Sequence, residues 1–181
     1  MMISETILEG CYVIEPRLFN DHRGFFFEGF NAMQFKEQTG IDFHVCQMNC
    51  SRSAKGVIRG LHFQEKPYEQ AKVVFVTKGE VMDVIVDLRP DSVSYGKHIK
   101  IHLSSENQKR VFIPKGFAHG FLSLTENAEL NYLVDEYYNA EHDSGIHISD
   151  ENLKIDWGIS PDEMILSDKD KKLQSFNKLC Q

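Results

Sequence analysis

Apolar residues recur at every second position in short runs along most of this chain, and a period of two belongs to strands rather than helices. The pattern is cleanest from Glu80 to Leu88. There Met82, Val84, Val86 and Leu88 fall on one face, and Val81, Asp83, Ile85 and Asp87 on the other. Comparable runs occur at CYVIEP, FFFEGF, FHVCQMN, VIRGLHF, AKVVFVTKG, HIKIHLS, RVFIPKG, HGFLSLT and ELNYLVDEY, separated by Gly, Pro, Asp and Asn turn signals. About ten short alternating strands predict a mainly β fold, a double-sheet antiparallel sandwich or jelly-roll barrel with a few short helices. NAMQFKEQTG is the clearest helical segment, with Asn31 as cap and Gly40 as stop, and the stretch after Pro161 is a second candidate.

The chain has 181 residues, 41% hydrophobic and 26% charged, enough to bury its own core as one domain spanning 1–181. A net charge of -7, with no dense run of Lys or Arg, disfavours nucleic acid as a partner. MMISETILEG lacks the basic start and apolar stretch of a signal peptide, and no segment approaches the ~20 apolar residues of a membrane span. The expected location is the cytoplasm, with no membrane partner. Cys11, Cys46, Cys50 and Cys180 form no CxxC pair, and a chain of this length folds without disulfides, so all four are expected to be ordinary reduced thiols.

Chemistry concentrates between Gln47 and Lys72. Q-M-N-C-S at 47–51, G-V-I-R-G-L-H-F-Q at 56–64 and Q-A-K at 70–72 put polar and basic groups inside apolar strands. Burying Arg59 or Lys72 costs several kcal/mol unless an anion or hydrogen-bond partner compensates, and a nucleoside diphosphate meets that need. An outward-pointing side chain is the plain alternative for each. Arg59 and His62 are three apart, so a regular strand would send them to opposite faces. Gly60 between them predicts a bulge that returns both to one side. Along HIKIHLS, His98 and His102 lie opposite Ile99, Ile101 and Leu103, which places them toward solvent.

I-P-K-G-F-A-H-G-F at 113–121 contains P-x-G-x-x-H, the second signature of the cupin superfamily of small double-sheet barrels. The first signature has H-x-H where this chain has His62-Phe63-Gln64. With only His62 and His119 at matching positions a metal cage is incomplete, so no metal site is expected. Together with D-H-R-G-F-F-F-E at 21–28, G-x-V-x-D-V-x-V-D-L-R at 79–89 and L-S-D-K-D at 166–170, these motifs closely resemble the dTDP-4-dehydrorhamnose 3,5-epimerase family. The resemblance covers nearly the whole chain and implies a cupin-like barrel.

The resemblance implies a cofactor-independent isomerase acting at C3 and C5 beside the 4-keto group of dTDP-4-dehydro-6-deoxy-D-glucose. An epimerase of one centre, on this or another nucleotide-linked 4-keto sugar, is the alternative. It assigns His62 as base, Asp170 as its partner, Tyr132 as the proton donor from the opposite face and Lys72 as stabiliser of the ketone oxygen. A neutral imidazole suits the first role and a protonated phenol the third. Read from composition alone, Asp170 is a solvated charge in DKDKK and Tyr132 a core tyrosine.

Arg23, Glu28, Gln47, Asn49, Arg59, His119, Asp143 and Lys169 match substrate-binding positions, and Tyr138 matches the aromatic that stacks on thymine. The resemblance implies a homodimer whose N-terminal segments exchange contacts, which would let Arg23 and Glu28 serve the neighbouring site. Asp143-Ser144-Gly145-Ile146 stands where the family commonly has E-x-G-I, which shortens one carboxylate.

Overall fold

The computed structural model describes residues 1–180; Gln181 and the side chain of Cys180 lie outside the described residues. In chain order the strands are β1 (Met2–Glu5), β2 (Tyr12–Glu15), β3 (Phe19–Asp21), β4 (Gly24–Phe26), β5 (Gln47–Ser53), β6 (Ile58–Gln64) and β7 (Lys72–Lys78). They continue as β8 (Glu80–Asp87), β9 (His98–Ser104), β10 (Arg110–Ile113), β11 (Phe117–Ser123), β12 (Ala128–Val134) and β13 (Asp143–Gly145). One sheet runs β1-β2-β10-β7-β12-β5 and the other β13-β6-β11-β8-β9, with β3 and β4 forming a separate hairpin. All named pairings are antiparallel, and the protein is a mainly β, cupin-like double-sheet structure.

The period-two pattern decides what each sheet face meets. Val81 and Ile85 of β8 point between the sheets, where they pack with Val74, Val76, Val111, Phe117, Phe121 and Leu130. Val84 and Val86 face outward, yet they too are buried, beneath Ile146, Ile148, Leu153, Trp157 and Phe176. The segment from Ile146 to Phe176, poor in regular structure, therefore lies over the outer face of the five-stranded sheet. Trp157 is tied down there by donating its indole N–H to the Ile148 carbonyl at 3.0 Å.

Helix α1 (Ala32–Thr39) begins at Asn31, whose side chain accepts from the Gln34 N–H, and ends at Gly40 in the left-handed region, as expected from sequence. Its Phe35 packs with Ile14, Phe43, Val73 and Phe112 on the outer face of the six-stranded sheet.

Three local expectations require correction. FHVCQMN becomes strand only from Gln47, because Phe43 is drawn into the cluster with α1. FFFEGF contributes only Phe25 and Phe26, the end of β4. The stretch after Pro161 makes only short 3-10 turns, at Pro161–Glu163, Asp170–Lys172 and Phe176–Cys180, rather than an α-helix. Its backbone hydrogen bonds go elsewhere: Ile165 exchanges them with Gly56 and Ile58 at the start of β6. His102 is exposed and bonds Glu80 at 2.9 Å, whereas His98 is half-buried. Cys11, Cys46 and Cys50 are free thiols. Among the described residues no helix is long and apolar enough to cross a membrane.

Candidate active site

Between the two sheets lies a cavity of about 370 Å³. Its walls come from β6 and β11 of one sheet, β5, β7 and β12 of the other, and the segments carrying Tyr138, Asp143 and Ser167 to Asp170. Every sequence-predicted site residue except Arg23 and Glu28 lines this cavity.

The β6 wall depends on the bulge. His62 is opposite His119 and Arg59 is opposite Phe121, so three steps on β6 match two on β11. The extra residue puts Arg59 and His62 on one side, and both line the cavity. Glycine is required on both strands at this crossing. Gly60 has φ +116°, and a Cβ there would stand 2.6 Å from the Gly120 Cα; a Cβ on Gly120 would stand 2.7 Å from the Arg59 carbonyl oxygen.

His62 Nε2 lies 2.6 Å from Asp170 Oδ1. An ionised carboxylate only accepts, so this contact puts the ring proton on Nε2 and leaves Nδ1 with the free lone pair. Burial moves the His62 pKa below the ordinary histidine value, and the Asp170 hydrogen bond opposes that shift. Asp170 is 3% exposed, so the expectation of a solvated charge from its polar surroundings does not hold. It opens a 3-10 turn, Asp170–Lys172, and its N–H donates to Ser167 Oγ at 3.1 Å.

The facing sheet supplies Lys72 and Tyr132. Lys72 is buried at the start of β7, and desolvation brings its pKa down to about 8 against the opposing pull of Asp143 and Asp83. Its ammonium sits 5.8 Å from the centroid of the Tyr132 ring. The Tyr132 pKa is raised, chiefly by burial and further by the charge of Asp143, so the phenol holds its proton.

Toward the mouth, Tyr138 donates its hydroxyl to Asp143 Oδ2 at 2.9 Å, and Lys169 pairs with the same oxygen. Gln47 donates to Asn49 Oδ1 at 2.8 Å and accepts from the Tyr138 N–H at 3.2 Å. Arg59 donates through Nε to Ser53 Oγ at 3.0 Å. His119 and Asp83 form a second histidine–carboxylate pair at 2.7 Å.

Two expected residues stand apart. Arg23 is on the β3–β4 hairpin, paired with Asp21 at 2.5 Å, in a groove with Phe19, Phe25 and Phe26. Glu28 follows that hairpin and is exposed. Within one chain neither reaches the cavity. Sequence reasoning in turn passed over Ser51, Gln64, Gln70 and Ser167 in the lining, and Asp83 beneath it. Asp83 had a signal: it is an acid on the same face as Val81 and Ile85. Gln64 occupies the place of the second cupin histidine and is bound to the Tyr68 and Tyr137 carbonyls at 2.6 and 3.2 Å. Among the described residues no three His, Cys, Asp or Glu side chains converge as a metal cage.

The family model described as dTDP-4-dehydrorhamnose 3,5-epimerase matches residues 5–178. The chain belongs to this epimerase family. It is 46% identical over 181 residues to the dTDP-4-dehydrorhamnose 3,5-epimerase of Escherichia coli K12, covering 100% of this chain and 97% of that protein. The crystal structure of the family member from Elizabethkingia anophelis superposes with a TM-score of 0.95 at 44% identity, over 98% of this chain and 97% of the other. The Legionella pneumophila epimerase solved with dTDP-4-keto-L-rhamnose gives a TM-score of 0.92 at 42% identity, covering 97% and 93%. Membership makes the protein an isomerase of the epimerase type.

Proposed function

We propose that the chain converts dTDP-4-dehydro-6-deoxy-D-glucose to dTDP-4-dehydro-L-rhamnose by removing and returning a proton at C3 and at C5. The observation that carries this reading is the placement of His62, with Asp170 behind it, on one sheet and Tyr132 on the facing sheet, across one cavity. An inversion needs acid and base on opposite sides of the reacting carbon, and two facing sheets supply them without any moving part.

The ketone acidifies the neighbouring C–H bonds. His62 takes the proton, and the electron pair moves onto the ketone oxygen. Lys72 meets that negative charge from the buried floor of the cavity, where a fixed cation acts more strongly than in water. Tyr132 returns a proton to carbon from the other side and regains its own from solvent, while His62 releases its proton. The sugar is isomerised with no net gain or loss of atoms or electrons. The substrate's ketone is the electron sink, so the reaction needs no cofactor or metal.

Arg59 and Lys169 suit the diphosphate, Gln47 and Asn49 the polar edges of the nucleotide, and exposed Tyr138 the face of thymine. In this reading Asp143 holds Tyr138 and Lys169 in place despite its shorter side chain. The exposed hairpin, with Phe19, Phe25 and Phe26 uncovered, would carry Arg23 and Glu28 to the site of a second copy in a homodimer. Residues 1–181 act as one catalytic domain, working in the cytoplasm on a soluble nucleotide sugar.

Separating the two proton transfers tests the proposal. Tyr132→Phe should still release the C3 and C5 protons to solvent while forming inverted product at least ~10²-fold more slowly. Inversion at the wild-type rate in Tyr132→Phe would refute the assignment of the donor.

A further inference from the structure

Asp83 is fully buried, and only one of its oxygens is used. Oδ1 holds His119 Nε2 at 2.7 Å; Oδ2 is buried with no hydrogen-bond partner among the described residues. Leaving a buried carboxylate oxygen unsatisfied is costly, and a pair kept only for stability would be expected to satisfy both oxygens or be replaced by apolar groups. The pair also lies where it matters. On the inner face β8 brings Asp83 opposite Phe121 and Ile85 opposite His119, so the carboxylate sits diagonally beneath the histidine that lines the cavity.

We infer that Asp83 is a positioning residue for epimerisation: it locks the ring of His119 so that Nδ1 faces the sugar, and it supplies the counter-charge beneath the cavity floor. This rests on the proposed function. An ionised Asp83 accepts from Nε2–H, which fixes the tautomer and orientation of the ring. Its charge also favours the cationic form of Lys72, the group assigned to the ketone oxygen. Asp83 touches no substrate atom; it acts through His119 and, across the floor, through Lys72. The site thus holds two histidine–carboxylate pairs whose histidines lie on one sheet, His62–Asp170 for proton removal and His119–Asp83 for positioning.

The test is a cycle of Asp83→Asn, His119→Gln and the double variant, read as kcat and KM for epimerisation. Asp83→Asn should lower kcat about 10²-fold, the scale of misplacing a group that orients the reacting sugar, with KM within about twofold of wild type. Since Asp83 acts chiefly through His119, the double variant should be little slower than His119→Gln alone. Losses that multiply, or wild-type kcat in Asp83→Asn, would overturn the inference.

The asparagine puts an unpaired amide in the core, so a second readout uses the wild-type protein. Long-range ¹H–¹⁵N spectra of ¹⁵N-histidine-labelled protein should show His119 protonated at Nε2. A neutral ring protonated only at Nδ1 would overturn the inference. Absence of epimerisation by wild type would refute the proposed function instead, and the tautomer of His119 would still report on Asp83.

Discussion

Replacing Asp170 by Asn removes one negative charge from behind the base while keeping its size and shape. The carboxylate is buried and 2.6 Å from His62 Nε2, so it stabilises the positive charge that develops on the ring as the carbon proton arrives. Unit charges with centres ~4 Å apart at an effective dielectric of ~20 interact by about 4 kcal/mol. Solvent reaches 32% of the His62 side chain, which trims that figure. A loss of ~2–4 kcal/mol in the transition state corresponds to about 30- to 10³-fold in kcat.

The pH profile adds a second signature. Burial already lowers the His62 pKa, and Asp170 is the main opposing influence. Removing that influence lowers the pKa further. The base then stays unprotonated to more acidic pH, so the acid limb of the kcat/KM profile should move down in pH even as the rate falls. Stopped-time NMR of substrate and product across pH 4–9 would measure both effects. Wild-type kcat in Asp170→Asn, or an acid limb displaced upward, would refute the role given to this pair.

Other outcomes follow from the cavity floor and the bulge. With the Lys72 pKa at about 8, wild-type kcat/KM should fall as pH rises through that value, because the ammonium loses the charge that meets the ketone oxygen. Lys72→Arg should move that limb upward, and the same profile in both proteins would exclude Lys72 as its source. Gly60→Ala should destabilise the fold by at least ~2 kcal/mol in urea denaturation, since the added Cβ meets the Gly120 backbone at 2.6 Å and φ is +116°. Wild-type stability there would mean the crossing of β6 and β11 relaxes freely.

What was legible in the sequence was what short-range physics controls. Alternation along 80–88 located β8 and sorted its faces; Asn31 and Gly40 bounded the helix; Gly60 between Arg59 and His62 pointed to the bulge. Asp170 was not legible from its surroundings. It is buried because the C-terminal segment, anchored by Trp157 and Phe176, folds over the outer face of the five-stranded sheet, a contact that DKDKK does not encode locally. β13, three residues long and without alternation, was invisible for the same reason, yet it carries Asp143 to the cavity through pairing with β6. The family resemblance, not periodicity, supplied both residues. Asp83 was placed on the correct face by alternation, but its partner emerged only from the diagonal register of β8 and β11.

The most direct test of the central claim is to incubate the protein with dTDP-4-dehydro-6-deoxy-D-glucose in deuterium oxide and follow C3 and C5 by NMR. Deuterium should replace the carbon-bound proton at both positions as the L-rhamno product accumulates. Exchange at one position alone would contradict the 3,5-epimerase reading in favour of inversion at a single centre, and exchange at neither, with binding established, would contradict the proton-transfer mechanism itself.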